Sequence, residues 1–256
     1  MVNFFIKKRG QVSLFIIVGI IIFVLILALF FLNTPIKKRI FQPQDIESYI
    51  NDCARKSLEK YLPEFYLKGL YFEPTNYLIY SNEKVAYHCF TNEKKQICTR
   101  NDAQDKERIE NELKNKIQEN IEECFINLKE KNKKYDINYG ETSLSLEVLP
   151  EKILIKINKE VTLSLDEEKK PYSNFIVSVS SPLWDFIKIS NEILNEEFKC
   201  NCPRESCRAD TTKLMKENNN YAITLFVGSR DEVVYTIKDY YNTTFRFAVK
   251  NCDKTP

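Results

Sequence analysis

Histidine is nearly missing from this chain: His88 is the only one in 256 residues. That scarcity excludes every multi-histidine metal site of the H-E-x-x-H kind, and any histidine-based triad has to run through His88. His88 stands beside Cys89 in a predicted strand, where neighbours point to opposite faces, so the two do not read as nucleophile and base. Glycine is sparse as well. With only Gly10, Gly19, Gly69, Gly140 and Gly228, no phosphate-cradling P-loop, no G-x-G-x-x-G turn and no G-x-S-x-G elbow can be written. A C-x-x-C pair beside a βαβ pattern is also lacking, which removes the usual thiol-redox reading. Charge of one sign is missing too: 32 of the 38 basic residues and all 36 acidic ones lie beyond residue 39, a net charge of −4 there. No nucleic-acid partner is expected from so even a balance. Carboxylates abound, yet none is singled out as a glycosidase-like acid pair. The chain reads as a non-enzyme, with no cofactor and no metal implied.

What is present is a run of nineteen uncharged residues, Leu14 to Leu32. As a helix rising about 1.5 Å per residue it is roughly 28 Å long, close to the ~30 Å hydrocarbon core of a bilayer. A helix apolar on every face belongs in lipid or inside a large assembly. Secretory signal peptides have shorter apolar cores followed by small residues at a cleavage site. Phe30-Phe31-Leu32-Asn33-Thr34-Pro35 offers no such site, so the helix is expected to stay in the working protein. Lys7, Lys8 and Arg9 precede the run and Lys37, Lys38 and Arg39 follow it, so the positive-inside rule is tied.

The stretch Lys8-Arg9-Gly10-Gln11-Val12-Ser13-Leu14 resembles the class III, type IV pilin-like signal of archaeal membrane proteins. The resemblance implies cleavage between Gly10 and Gln11, with Gln11 as the new N-terminus. It departs at Phe15, the fifth mature position, where many pilins carry a glutamate that neutralises a neighbouring subunit's terminal amine. The partners so implied are the lipid bilayer and copies of this chain or other pilin-like subunits, met through the N-terminal helix.

All eight cysteines follow the apolar run: Cys53, Cys89, Cys98, Cys124, Cys200, Cys202, Cys207 and Cys252. An even number in an anchored domain favours disulfides and an oxidising compartment. Asn242-Thr243-Thr244 is an acceptor sequon for glycosylation at Asn242. Together these break the topological tie: a single-pass protein of the cell membrane, N-terminus cytoplasmic, C-terminal domain extracellular. Cys53 and Cys124 each fall on the apolar face of a predicted helix and are expected to pair if the helices pack. Cys89 and Cys98 bracket a polar hairpin tip and form the favoured local pair. Cys200, Cys202 and Cys207 follow a C-x-C-x₄-C spacing unlike the paired C-x₂-C of common zinc modules. Two disulfides among these three and Cys252 are therefore simpler than a Cys₄ zinc site, with the pairing open.

Periodicity predicts an α+β fold: the transmembrane helix, then a mixed ectodomain of antiparallel strands with two to three amphipathic helices. One helix is expected from an Asp45 cap to Leu62, ended by Pro63. A second, about 104–130, is capped by Asn101 or Asp102 and carries the stripe Ile109, Leu113, Ile117, Ile121, Cys124, Phe125 and Leu128. Lys129–Lys134 reads as a charged linker. A third helix opens at Ser181-Pro182 and runs to about Phe198, with Trp184 as a packing anchor. Strands are expected at Tyr77–Tyr80, Val85–Phe90, Thr142–Leu149, Lys152–Asn158, Val161–Leu165, Asn174–Ser180, Tyr221–Val227, Val233–Lys238 and Thr244–Lys250, with Asp166–Pro171 and Gly228–Asp231 as turns. The organisation so read is a basic leader (1–10), the helix with its flank (11–39), an α+β ectodomain (40–198), and a Cys-rich loop with a C-terminal β segment on the same ectodomain (199–256).

The segments Ile121-Glu122-Glu123-Cys124, Tyr139-Gly140-Glu141, Val233–Asp239 and Phe245–Lys250 resemble those of uncharacterised archaeal membrane proteins of the same layout. That resemblance implies placement and architecture and no activity. The expected function is a disulfide-stapled surface protein acting in cell-surface assembly or adhesion. The alternatives are a monomeric anchored binding or sensor domain never extracted from the membrane, and a membrane-tethered enzyme or zinc-site protein.

Overall fold

A computed structural model describes residues 17–27, 43–92, 98–102, 104–165, 167–199, 209–228 and 232–250. The chain divides into two units, residues 1–42 and 43–256. In the first, residues 17–27 are helical (α1), and all eleven side-chain positions are exposed. Among the described residues no helix is long and apolar enough to cross a membrane. The rest of the run from Leu14 to Leu32 lies outside them, as does the leader with Gly10 and Gln11.

The second unit is α+β. Its first helix, α2 (Pro43–Leu67), buries Ile46, Ile50, Ala54, Leu58, Leu62, Phe65 and Tyr66 along one face. It starts at Pro43, a residue suited to a first turn, so Asp45 lies inside the helix and is not its cap. It also runs through Pro63, where a stop was expected. Pro63 is exposed, so the carbonyl its missing N–H strands faces solvent, and burial of Leu62, Phe65 and Tyr66 on the other side carries the helix on. The true stop is Gly69. Its φ of +75° reverses the chain, and the Leu70 N–H donates back to the Phe65 carbonyl at 2.8 Å. A Cβ at Gly69 would stand 3.0 Å from that of Ala86, so this glycine is needed for space as well.

Helix α3 (Lys106–Lys131) buries the seven residues of the expected stripe. Its cap is Asp105, which accepts from the Glu107 N–H. Neither Asn101 nor Asp102 caps it: Asn101 donates to the Tyr87 carbonyl and Asp102 accepts from the Tyr71 hydroxyl. The helix absorbs half of the expected linker because Leu128 is buried and Lys129 and Lys131 suit its C-terminal end.

Helix α4 (Leu183–Phe198) begins where the Ser181 Oγ accepts from the Leu183 N–H at 3.1 Å. A fourth, short helix, α5 (Thr211–Glu217), is capped by Asp210 and was not foreseen. Trp184, expected as a packing anchor, is 37% exposed on the first turn of α4, with the Lys106 ammonium 5.7 Å from its ring.

The strands form three sheets. One is the antiparallel set β5 (Ser143–Leu149), β6 (Lys152–Asn158) and β9 (Phe175–Ser180), ordered 5-6-9. Strict alternation turns Leu144, Leu146, Val148, Ile153, Ile155, Ile157, Phe175, Val177 and Val179 inward. Strand β9 packs on α2 and β5 on α3. A second set, β4 (Asp136–Tyr139), β7 (Val161–Leu165) and β8 (Glu168–Tyr172), is ordered 4-7-8. Here β4 is additional and β8 replaces an expected turn. The charged Glu168-Lys169-Lys170 and Pro171 carry no strand signal, but β8 lies at an edge, where both are tolerated.

The third sheet is β1 (Tyr77–Tyr80), β2 (Glu83–Phe90), β12 (Thr244–Lys250), β11 (Glu232–Lys238) and β10 (Ala222–Val227), ordered 1-2-12-11-10, with β3 (Thr99–Arg100) on β2. It is mixed where antiparallel strands were expected, because β2 and β12 run parallel. The β1–β2 turn is the two residues Ser81 and Asn82, both at positive φ, so β2 begins at Glu83. Strands β2, β11 and β12 are buried on both faces. On one face Tyr235, Phe247, Phe245, Phe186 of α4 and Tyr66 of α2 follow one another at ring-centroid distances of 5.3, 5.6, 5.3 and 5.3 Å. On the other, Val85, Tyr87, Val234 and Ala248 form a small cluster against Leu78, Tyr80 and Phe90.

Candidate functional site

Two pairs of cysteines are joined. Cys53 of α2 and Cys124 of α3 form a disulfide with Cα atoms 6.0 Å apart across 71 residues of sequence, and Cys89 of β2 bonds Cys98 at 5.4 Å across nine. In the chain-entropy model loops of these sizes contribute about 4 and about 3 kcal/mol. Gly10, Gln11, Cys200, Cys202, Cys207 and Cys252 lie outside the described residues. Among the described residues no group of three or more His, Cys, Asp or Glu is placed to hold a metal.

With Cys89 oxidised, no thiolate stands beside His88. The imidazole is fully buried and stacked on Phe247 at 4.6 Å. Its Nε2 lies 3.0 Å from the Gly69 carbonyl, which can only accept, so Nε2 carries the proton. Nδ1 is left to accept from the Gln104 amide at 3.4 Å. Burial lowers the pKa to about 3, with the Arg108 and Arg100 charges adding to it against the Gly69 bond. His88 is a neutral structural residue that ties β2 to the end of α2.

The described part of the molecule offers its most ligand-like chemistry elsewhere, in a cleft of about 470 Å³ where four chain segments meet. The β11–β12 turn forms one wall. Asp239 folds it by accepting the Thr243 N–H on its Oδ1 at 2.7 Å, while the Asn242 N–H donates to the Asp239 carbonyl at 3.1 Å. Asn242 takes a φ of +64°, which asparagine tolerates well. The turn holds Tyr240 and Tyr241 outward, each 85% exposed, their rings edge-to-face at 5.6 Å. Asn242, the sequon residue, is exposed beside them.

The opposite wall is the start of α4. Asp185 accepts the Tyr221 hydroxyl at 2.6 Å, and Ser181 is hydrogen-bonded to the buried Tyr66 hydroxyl at 2.8 Å. The aromatic row of the third sheet therefore ends behind Ser181, which lines the cleft. Glu151, in the β5–β6 turn, closes the rim, and its carbonyl accepts the Ser181 N–H at 3.0 Å. Burial pushes the Tyr221 hydroxyl pKa up, helped by the bond to Asp185 and by the charges of Asp185, Asp239 and Glu151. Tyr66 is pushed up by burial and again by Asp239.

A larger groove of about 1020 Å³ runs between α2 and β9. One of its carboxylates, Asp52, is already paired with Arg55 and with Lys56. Among the described residues no basic side chain lines the walls of the cleft, and none pairs with Glu151, Asp185 or Asp239. Sequence reasoning reached this turn only through Asn242. The overlooked signal is Tyr240-Tyr241 itself, two aromatics at a strand-to-strand turn where polar residues are usual. Comparison with family models, curated proteins and solved structures returned no match, so the chemistry of the cleft rests on its own geometry.

Proposed function

We propose that this chain is a membrane-anchored surface protein, a disulfide-stapled α+β ectodomain held by an N-terminal pilin-like helix and acting in cell-surface assembly or adhesion without catalysis. The observation that carries this reading is the pair of disulfides, Cys53–Cys124 and Cys89–Cys98, in a domain that follows an unbroken apolar run. Such bonds persist in oxidising compartments outside the cytosol, and the apolar run is the means of staying there. The uncovered side chains of α1 support a lipid or helix-packing environment. An ectodomain that displays two bare tyrosines beside a charged cleft suits adhesion.

Phe15 in place of the pilin glutamate favours a second reading, a monomeric anchored binding domain that never leaves the bilayer. Filaments pelleting from sheared cells support assembly, and their absence supports the monomer. The anchoring itself is tested by the intact mass of protein taken from its native membrane after thiol alkylation without reduction. Loss of residues 1–10 with no added alkyl group is expected. Retention of Met1 to Gly10 with several alkylated cysteines overturns the proposal.

A further inference from the structure

We infer that the cleft between the β11–β12 turn and the start of α4 is a binding site for an organic cation of the alkylammonium type. Three features of the site point the same way. It is a cavity of small-ligand size, about 470 Å³. Glu151, Asp185 and Asp239 bring three carboxylates to its walls, with no lysine or arginine among the described lining residues. An uncompensated charge of that kind in a concave, partly desolvated site raises the local concentration of cations. The third feature is the aromatic surface. Elsewhere in this domain tyrosine rings already hold a cation: Lys116 lies 5.2 Å from the Tyr61 ring, Arg108 4.0 Å from Tyr71, and Arg246 5.3 Å from Tyr80. Among the described residues Tyr221, Tyr240 and Tyr241 have none.

Two adjacent tyrosines left 85% exposed on a turn fastened by Asp239 are an open pair of π faces beside a negative wall. A metal ion would make no use of those faces, and a neutral sugar would leave the carboxylate charge uncompensated. An alkylammonium group uses both, its charge on the carboxylates and its methylenes on the rings. The cation comes either as a free polyamine or as a lysine side chain of another protein, and the chemistry at the cleft is the same. This inference does not depend on how the chain is anchored.

The test is isothermal titration of the full chain in lipid nanodiscs with spermidine, with a tri-lysine peptide and with neutral maltotriose. One-to-one binding of the cations is expected, weakening on the order of tenfold between about 50 and about 500 mM salt. Tighter binding of spermidine points to the free amine, and tighter binding of the peptide to a protein lysine. The double variant Tyr240→Ala with Tyr241→Ala is expected to weaken binding about 5- to 20-fold. Glu151→Gln with Asp185→Asn is expected to weaken it on the order of tenfold or more. Glu151, Tyr240 and Tyr241 are exposed and Asp185 is half-buried, and unchanged melting of each variant serves as the folding control. The proposal is overturned if neither cation binds at millimolar concentration, if both double variants bind like the parent, or if maltotriose binds as well as spermidine.

Discussion

The 5-6-9 sheet and the 1-2-12-11-10 sheet solve the same problem in opposite ways. The first hides one face only. Leu144, Leu146 and Val148 alternate with Ser143, Ser145 and Glu147, and Ile176 on the outer face of β9 stays 61% exposed. Its free edge is blunted from outside, because Glu110 of α3 accepts the Val148 N–H at 2.7 Å. The second sheet hides both faces along β2, β11 and β12. It has the helices and the aromatic row on one side and its own side chains Leu78, Tyr80 and Phe90 over the other. A one-faced sheet is a wall; a two-faced sheet is the keel. The candidate cleft hangs from the keel, since its β11–β12 turn joins two keel strands and Ser181, which lines it, is hydrogen-bonded to Tyr66 at the end of the aromatic row.

The sharpest way to break this comparison is to remove a ring from the keel. Phe247 is fully buried and touches His88, Tyr235 and Phe245, so Phe247→Ala is expected to cost about 3–5 kcal/mol in denaturant unfolding. A loss below 1 kcal/mol would show that the row is loosely packed.

A subtler probe is acid. The folded pKa of His88, about 3, lies below its ordinary value of 6.5, so the unfolded chain binds the extra proton. Stability is therefore full above pH 6.5 and falls as pH drops toward 3, by about 2 kcal/mol between pH 7.5 and 5. His88→Gln is expected to start less stable but to be flat across that window; a parental slope in the variant would sink the assignment. At the other extreme, Ile176→Thr on the outer face of the wall is expected to change stability by no more than about 0.5 kcal/mol. A larger loss would mean that this face is covered.

The difference between wall and keel also explains which parts of the fold could be read from residues. Strand β5 alternates Leu144, Leu146 and Val148 with Ser143, Ser145 and Glu147, and α3 repeats its apolar stripe every three or four positions, so a local period reports which side is buried. Strand β8 is Glu-Lys-Lys-Pro-Tyr, and only pairing to β7 makes it a strand. Pro63 looked like a terminator because its local effect is unfavourable; the burial of Phe65 and Tyr66, two and three residues on, outweighs it. The parallel pairing of β2 with β12 joins segments more than 150 residues apart, which no local pattern announces. Similarly, the cleft draws Glu151, Asp185, Tyr221 and Asp239 from four separate stretches, of which only the last, with Tyr240 and Tyr241, is distinctive alone.

The sequence by itself determined the apolar run and its basic flanks, the absence of histidine- and glycine-based catalytic machinery, the periodic helices and strands, and an even set of cysteines. These follow from composition and from periods of 3.6 and 2, which a chain carries before it folds. Only the tertiary structure decided that α2 packs on α3 and so brings Cys53 to Cys124, which helix outlasts its proline, which sheet is buried twice, and that three carboxylates and three tyrosines line one cleft. The physical reason is distance along the chain. Contacts between remote segments depend on how whole faces pack, and that free energy is shared among too many residues for any one stretch to reveal it.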